Sequence, residues 1–412
     1  MNTTVKTRPA NGVAVTAQSV ASGTFVSTQT TQQVNPPEVG TAGPAAMGNV
    51  SFNWNSVRGM SINPLSNPKG VKLTCELCGK PAYIQCKNCR VTYYCDHDHE
   101  KIDYRGIHEK ICSLLVPLRT PVAVLGSEEE RALREKQTRQ RQVHLLGLTK
   151  TEAHKKLFEG QYDLAIPAAL QALRFSMDVY GQNSIELVPS YLLLGEASIG
   201  LKQYSQGDEY LSLAKWAVLK SDHCDNAVRS QLHRNLGLLY SSQGNLDAAL
   251  EQLASDIYYS SLEKGPNHIS VTGGYFHLGN VFHKQNRIPH AYAVYDKVVE
   301  IWIDSMKHGN ETLDEAQQAE AIQILTSVYA FQTNQTLEGG LFSKSVRKNP
   351  YDVLYALALV YRRCGRFDLA KEYGDKALKG YQIMYGPDSA PCVELTATIF
   401  SEDAPLKTQE AQ

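Results

Sequence analysis

A 42-residue period that begins at residue 153 constrains the fold more than any other feature of the sequence. Small residues recur at this period, and the residue seven positions after each of them is in most cases typical of a turn. Small residues on two antiparallel helices let the helices approach closely, and Gly or Asn favours the turn between them. The pattern therefore predicts an all-α solenoid of helix–turn–helix repeats. The small residues are Ala153, Gly195, Gly237, Gly279 and Ala358, and the turn residues are Gly160, Lys202, Gly244, Asn286 and Gly365.

One interval breaks this period, because Gly279 and Ala358 are 79 residues apart. Residues 312–330 still have the apolar spacing of a helix, whereas residues 331–349 lack the pattern of a second helix. We therefore predict a solenoid over residues 147–386 with a degenerate repeat around 312–350. A polar tail is expected over residues 387–412, with room for a closing helix before it.

The residues that precede the solenoid divide into a connector and a charged helix. Pro117 and Pro121 mark residues 113–121 as a connector. Ser127 and Glu130 form a capping box at the start of a charged helix, so we predict a helical spacer or cap over residues 122–146. Residues 1–70 carry few charges and no sustained period, which is typical of a disordered arm. The apolar patch around Phe52 and Trp54 is either weakly ordered or an anchor that folds on a partner.

Eight potential metal ligands lie within 38 residues of each other, between the arm and the connector. Two Cys-x2-Cys pairs have the spacing of structural zinc sites, and eight ligands are enough for two tetrahedral ions. Because protein ligands can fill every position, the pattern indicates structural rather than catalytic zinc. We therefore predict a finger over residues 71–115 that binds two Zn²⁺, with His97 as an alternative to His99. The ligands are Cys75, Cys78, Cys86, Cys89, Cys95, His99, His108 and Cys112.

The overall composition excludes several classes of function. The 41 Lys and Arg residues balance 42 Asp and Glu residues, giving a net charge of −1. Nucleic-acid and membrane-surface binders use excess basic charge, so neither partner is expected. No stretch has the roughly 20 apolar residues of a membrane span, and no secretory signal is visible. A reducing cytoplasmic compartment is therefore expected for the nine cysteines.

The order and spacing of the ligands resemble the MYND zinc finger. Tyr93 and Tyr94 before Cys95 and the His108-x3-Cys112 ending are part of this resemblance. It implies interleaved ligands, with one zinc on Cys75, Cys78, Cys95 and His99 and the other on Cys86, Cys89, His108 and Cys112. Three positions depart from the family pattern: His99 replaces Cys, Glu100 replaces Gln and Tyr104 replaces Trp. The family's groove for proline-containing peptides uses this Gln and Trp region.

The repeats resemble a long form of the tetratricopeptide repeat. A MYND finger followed by such repeats is similar to a family of axonemal proteins of motile cilia and sperm flagella. The resemblance implies a non-catalytic adaptor or scaffold of an inner dynein arm that supports flagellar motility. It also implies two partners, tetratricopeptide repeat protein 29 and a dynein heavy chain. The similar stretches are VTYYC, HEKIC, ELVPSYLLLGEASIGL, LHRNLGLLY, TGGYFHLGNVF and LDEAQQAEAIQIL.

Two functions other than an adaptor, a lysine methyltransferase and a nuclear co-regulator, also occur among proteins with such a finger. MYND fingers also occur in lysine methyltransferases, but the strands of a SET domain are not expected around this finger. The sequence also lacks a Gly-rich phosphate loop and a nucleophile elbow, so no enzyme is expected. The alternative is a nuclear transcriptional co-regulator that binds peptides through its finger. The basic residues between Arg131 and Arg141 would then act in localisation rather than as a solvated helix face.

In a tetratricopeptide array the first helices of the repeats line the concave surface. The repeat positions place a mixture of basic and aromatic side chains there. Such a mixture fits a partner segment with acidic and apolar side chains. The predicted partner-binding residues are Arg234, Phe276, Asn280, His283, Lys284, Tyr355, Arg362 and Arg363.

Overall fold

The computed structural model of the chain describes residues 58–62, 72–120, 126–308, 312–337 and 349–400. Two compact units cover residues 1–130 and 131–412. Most of the predicted arm, including Phe52 and Trp54, lies outside the described residues. Among the helices in the described parts of the chain, none is long and apolar enough to cross a membrane.

The first unit contains a small three-stranded antiparallel sheet followed by helices. The strands β1 (Met60–Ser61), β2 (Ile84–Gln85) and β3 (Tyr93–Tyr94) lie in the order β1-β2-β3. Helix α1 (His97–Asp103) begins at Asp96, whose side chain accepts a hydrogen bond from the His99 amide at 2.7 Å. A π-helical turn over Tyr104–His108 leads into α2 (Glu109–Arg119).

Two predicted boundaries of this unit were wrong. Met60 and Ser61 pair with β2, although they belong to the part predicted to be a disordered arm. Helix α2 continues through Pro117 to Arg119, where a connector was predicted. Arg119 forms an ion pair with Glu76 at 2.5 Å and donates to the Val91 carbonyl at 3.2 Å, and these contacts hold the end of α2 against the finger. Contacts between residues 43 positions apart leave no local signal in the sequence.

The second unit is built of helices. The earliest of these helices begins at Glu128, in the last residues of the first unit. The spacer and the solenoid were predicted to meet at residue 146, but α3 runs through this position without a break. The helices are α3 (Glu128–Phe158), α4 (Tyr162–Tyr180), α5 (Val188–Gly200), α6 (Tyr204–Lys220), α7 (Asn226–Ser242), α8 (Leu246–Lys264), α9 (Thr272–Lys284), α10 (Ile288–His308), α11 (Glu315–Leu337), α12 (Asp352–Arg363), α13 (Phe367–Tyr385) and α14 (Ala390–Phe400).

The five predicted turn positions all have left-handed backbone conformation, which confirms the turn prediction. Their φ angles are 72° at Gly160, 62° at Lys202, 85° at Gly244, 59° at Asn286 and 70° at Gly365. Each of these residues lies between the two helices of a repeat. Gly and Asn adopt this conformation at little cost, so a local preference accounts for four of the five turns, whereas Lys202 adopts it without that preference.

The small residues at the 42-residue period lie where two helices of a repeat touch. A Cβ atom on Gly195 would lie 2.9 Å from Leu211 Cδ2, and one on Gly237 would lie 2.7 Å from Leu253 Cγ. A Cβ atom on Gly279 would lie 2.5 Å from Tyr295 Cε1. These distances are shorter than van der Waals contact, so the predicted close approach of the paired helices is confirmed.

In the irregular interval, the described residues form one helix, α11, that does not join the stack of repeat helices, and residues 338–348 of the predicted degenerate repeat lie outside the described residues. Helix α12 packs on α10, as the first helix of each repeat packs on the second helix of the repeat before it. Helix α11 lies outside this order and contacts α9, α10 and α12. The solenoid therefore has five helix pairs, α3–α4, α5–α6, α7–α8, α9–α10 and α12–α13, in the described residues.

The predicted polar tail was also wrong in part, because α14 occupies residues 390–400. Cys392, Leu395 and Ile399 face the core and are at most 5% exposed. Ile399 packs against Gly374 of α13, where a Cβ atom would lie 2.7 Å from Ile399 Cγ2. The helix therefore covers the last pair of the solenoid, and residues 401–412 lie outside the described residues.

Candidate metal centres

The first group of ligands joins the loop before β2 to the start of α1. Cys75 and Cys78 are buried, and their ligand atoms lie within 4.8 Å of those of Cys95 and His99. Cys95 follows β3 directly, and the Asp96 cap starts the helix that carries His99. His99 Nδ1 lies 3.0 Å from Cys95 Sγ and 3.5 Å from Cys75 Sγ, while the sulfurs of Cys78 and Cys95 are 3.6 Å apart.

The second group joins the loop after β2 to the π-helical turn and α2. The ligand atoms of Cys86, Cys89, His108 and Cys112 all lie within 4.8 Å of one another. His108 Nε2 lies 3.3 Å from Cys86 Sγ and 3.6 Å from Cys89 Sγ, and the sulfurs of Cys86 and Cys112 are 4.0 Å apart. The structure thus brings together the two interleaved ligand sets that the resemblance to the MYND finger implies.

These distances fit tetrahedral zinc. Two sulfurs at about 2.3 Å from one ion in tetrahedral geometry are about 3.8 Å apart, close to the 3.6 Å and 4.0 Å separations in the two groups. Thiolate and imidazole are the ligands that zinc prefers, and the cysteines are free of disulfide bonds. Each centre has four protein ligands, so zinc there supplies folding energy rather than a reactive water. The two centres therefore fit two structural zinc ions.

Neighbouring groups shift the pKa values of the ligands in the second centre. A hydrogen bond from Cys86 lowers the pKa of Cys89 to about 3, and the same contact raises the pKa of Cys86. Burial opposes a charged His108, but contacts with Cys112 and Cys89 raise the pKa of His108 to about 10. A metal that binds these ligands competes with protons for them, which is the usual link between zinc affinity and pH.

Several residues that contact the metal ligands were not predicted from the sequence. Thr92 Oγ1 lies 3.0 Å from Cys89 Sγ and 3.4 Å from His108 Nε2. The hydroxyl of Tyr94 donates to Asp103 Oδ2 at 2.6 Å, and the same carboxylate lies 3.9 Å from His108 Nδ1. This separation is too long for a hydrogen bond, so the carboxylate acts on the His108 ring through its charge. The Tyr-Tyr pair before Cys95 was the only sequence signal for this support.

The structure also separates His99 from its alternative, His97. His97 Nδ1 lies 2.8 Å from Glu100 Oε2, and it is not among the ligand atoms of either group. Because successive residues of a helix point in different directions, α1 turns His97 towards Glu100 and His99 towards the sulfurs. Residue 99 is therefore the position that completes the first centre.

Of the predicted partner-binding residues, two are buried and a third is paired within the chain. Phe276 and Tyr355 are 4% and 3% exposed and lie in the hydrophobic core, so they are not available to a partner as predicted. The Arg234 side chain is 17% exposed; its Nε donates to Asp256 Oδ2 at 2.9 Å, and its Nη1 lies 3.6 Å from Glu320 Oε1.

The other five predicted residues also make contacts within the chain. Asn280 accepts from the Tyr295 hydroxyl at 2.6 Å, and Lys284 donates to the Ser241 hydroxyl at 2.8 Å. The ring centroid of His283 lies 4.9 Å from that of Phe331, and Arg363 donates to the Met306 carbonyl at 3.3 Å. Arg362 is half-buried like Arg363.

Helix α11 contacts two of these residues, Arg234 and His283. Its Glu315 pairs with Lys155 of α3 at 2.9 Å, and its Glu320 faces Arg234 of α7. Its Phe331 lies against the rings of α9 and α10. The helix therefore contacts the first helices of several repeats and lies along the face that those helices line. In the sequence, only the acidic residues of α11 and the basic residues on the first helices of the repeats pointed to this placement.

Comparisons with known proteins agree with both parts of the chain. The family model for the MYND finger matches residues 75–112, and a tetratricopeptide repeat model matches residues 352–390. The chain therefore combines a MYND finger with tetratricopeptide repeats, and both are protein-interaction modules.

Two solved structures are similar at low scores. One is described as "Functional Characterization of Pseudomonas Aeruginosa pilF", with 15% identity, a TM-score of 0.28, and coverage of 62% of this chain and 98% of that chain. The other is BtubC (BKLC) from P. vanneervenii, with 16% identity, a TM-score of 0.27, and coverage of 60% and 94%. At such scores neither structure informs the arrangement or the function of this chain.

Proposed function

We propose that the chain is a non-catalytic adaptor of motile cilia and sperm flagella that associates with an axonemal inner dynein arm. The observation that carries the adaptor role is the ligand set of the finger. Both centres are filled by four protein side chains, which leaves no position on the metal for a substrate. The rest of the described chain is mostly a helical solenoid, an architecture that presents long surfaces to other proteins.

The ciliary assignment rests on sequence resemblance. The stretches quoted above for the finger and the repeats resemble zinc finger MYND domain-containing protein 12 over most of residues 70–380. On this proposal the partners are tetratricopeptide repeat protein 29 and an inner-arm dynein heavy chain. The protein would then be found in the cytoplasm and in the axoneme.

Exposed aromatic residues on two successive repeats are available for such partners. Trp216 of α6 is 67% exposed and Tyr258 of α8 is 59% exposed. Each lies 21 residues after the small residue of its repeat, so the two occupy equivalent positions. Large aromatic side chains often dominate the energy of protein interfaces. Because both rings are exposed at equivalent positions of two repeats, they are the residues to alter in a binding assay.

The proposal is tested with tagged protein in ciliated cells. We expect the tag in the axoneme, and we expect repeat protein 29 and an inner-arm heavy chain to co-purify with it. Trp216→Ala with Tyr258→Ala should lower the recovery of a partner, whereas Tyr180→Ala, which alters a residue that is 41% exposed on α4, serves as the matched control. A purely nuclear tag would contradict the ciliary role and favour the co-regulator.

A further inference from the structure

Helix α14 is the first helix of a repeat whose second helix is not among the described residues. A glycine of positive φ ends the helix before it, Gly386 at 89°, as Gly181 at 85° ends α4 and Gly265 at 86° ends α8. Helix α14 then packs on α13, as α5 packs on α4 and α9 packs on α8. It therefore occupies the place of a first helix at the end of the stack.

In a complete repeat, one side of the first helix is covered by the second helix. On α5 this side holds Val188, Leu192 and Gly195, which lie seven, eleven and fourteen positions after Gly181. Residues spaced four and three apart lie on the same side of a helix. Gly195 lies against Leu211 of α6, and Val188 and Leu192 are 0% and 3% exposed. This side of a first helix therefore faces the second helix of its own repeat.

The same side of α14 is open. Its residues seven, eleven and fourteen positions after Gly386 are Val393, Ala397 and Phe400, which we call the α14 stripe. Val393 is 60% exposed, Ala397 is exposed and Phe400 is half-buried. The sequence that follows, SEDAPLKTQEAQ, has one large apolar side chain, Leu406, and lacks the pattern of a second helix. The α14 stripe is therefore an apolar surface to which these residues offer no covering helix.

The order of side-chain sizes makes the α14 stripe complementary to itself. It runs from large to small to large, so it reads the same in both directions. A two-fold axis beside Ala397 would place a second α14 antiparallel to the first, which is also the direction that the second helix takes in a helix–turn–helix repeat. The two alanines would lie at the centre, where small residues let helices approach closely, and Val393 of each copy would meet Phe400 of the other.

The charges of this helix also favour a second copy. Glu394 is the one charged residue of α14, and Lys307 Nζ lies 2.6 Å from its Oε1. Two α14 helices can therefore meet without burying an unpaired charge. Antiparallel helices also bring the partial positive charge of one N-terminus beside the partial negative charge of the other C-terminus. Ile383 and Tyr385, 79% and 49% exposed just before the turn into α14, add apolar surface at this end of the solenoid.

We propose that the α14 stripe is a self-association site, at which two copies of this chain pair their α14 helices antiparallel about a two-fold axis beside Ala397. Each copy supplies the helix that covers the open side of the other copy's last repeat. A contact of one helix pair is smaller than the roughly 1,600 Å² of a standard stable interface, so the dimer should form at micromolar concentration. This inference does not depend on the ciliary role.

Sedimentation velocity of the full chain between about 1 and 200 µM tests the proposal. The wild type should pass from monomer to dimer in this range. Ala397→Glu brings two carboxylates together at the axis and should raise the dissociation constant at least about 30-fold. Ala254→Glu makes the same change at an exposed position of α8 and should dimerise like the wild type.

An exchange of charge distinguishes this contact from any other mode of association. Ala397→Lys alone should also be weakened, because two ammonium groups then meet at the axis. An equimolar mixture of Ala397→Glu and Ala397→Lys should dimerise at least about ten-fold more tightly than either variant alone, because opposite charges meet. A mixture that is no tighter than the single variants would overturn the pairing beside Ala397.

Two other results would also overturn the proposal. A wild type that stays monomeric at the highest concentration would exclude self-association, and an undiminished dimer of Ala397→Glu would exclude the α14 stripe as its site. Circular dichroism on each variant confirms that the solenoid is folded. If Ala397→Glu loses helical signal, Thr396→Glu and Thr396→Lys, at the neighbouring exposed position, replace the Ala397 variants under the same criteria.

Discussion

At the scale of single residues, a glycine at the contact of two helices is the simplest determinant of the solenoid. Gly237→Val would add a Cβ atom 2.7 Å from Leu253 Cγ, and Leu253 is fully buried. Overpacking of this kind costs about 1–3 kcal/mol of the free energy of unfolding. Gly147 has no atom within 4 Å of a Cβ position, so Gly147→Val is the matched control and should be almost neutral.

Thermal unfolding followed by circular dichroism measures this difference. The transition midpoint of Gly237→Val should lie several degrees below that of the wild type, as expected for a loss of this size. Equal midpoints for the two valine variants would show that the helices of this repeat separate at no cost.

A second residue-scale prediction concerns Glu196 on α5. Burial raises the pKa of Glu196 from 4.5 to about 7, although Arg234 acts in the opposite direction. The folded protein therefore binds a proton more tightly at this site than the unfolded chain does. The stability that this provides is present below pH 4.5 and is lost as the pH rises to about 7.

Glu196→Gln removes this loss because the amide does not ionise. The thermal midpoint of the variant should exceed that of the wild type at pH 8, and the two should differ little at pH 5. Glu209→Gln, at an exposed position of α6, is the control and should follow the wild type at both pH values. A midpoint difference for Glu196→Gln that is the same at both pH values would contradict the assignment.

At the scale of elements, α11 is the helix that departs from the repeat pattern. Phe331 is 9% exposed, and its ring centroid lies 4.9 Å from that of His283, 5.0 Å from that of Tyr292 and 4.9 Å from that of Tyr295. Loss of a buried phenylalanine costs about 3–5 kcal/mol. Phe331→Ala should therefore release α11 before the repeats open.

Amide hydrogen exchange resolved along the chain tests this order. Exchange in residues 315–337 should accelerate more than exchange in α5–α8, because solenoid repeats mainly stabilise their neighbours. Thr333→Ala alters an exposed position of the same helix and should leave the exchange pattern close to that of the wild type. Uniform acceleration across the solenoid would mean that α11 is as essential as a repeat.

At the scale of the whole molecule, metal binding and the solenoid should unfold separately. Cys86 is 2% exposed and contributes to the second centre, so Cys86→Ser should reduce the zinc content below two ions per chain and unfold the finger. The solenoid lies in the other compact unit and should retain its helical signal and its thermal transition. Cys364→Ser, outside both centres, should keep two zinc ions.

Zinc analysis and circular dichroism on the same samples decide this prediction. Treatment of the wild type with a chelator should reproduce the effect of Cys86→Ser, since both remove the metal. If either treatment abolished the helical transition, the finger and the solenoid would form one cooperative unit.

The sequence alone determined the features whose causes are local. Cys-x2-Cys pairs bring two thiolates together on one turn of the chain, so the ligand positions could be predicted before the fold was known. Residues at positions 160, 202, 244, 286 and 365 adopt positive φ because the turn between two helices requires it. The repeated spacing is enough to predict the helical solenoid, because each repeat packs mainly on its neighbours.

Only the tertiary structure decided where the remaining surfaces are covered. The pairs Lys155–Glu315 and Arg234–Glu320 join residues far apart in sequence and place α11 over the predicted partner-binding face. In the finger, Gly59 and Met60 meet β2 across more than 20 residues, and nothing local marks them as a strand. A side chain is buried when another element covers it, and which element does so depends on the packing of the whole chain.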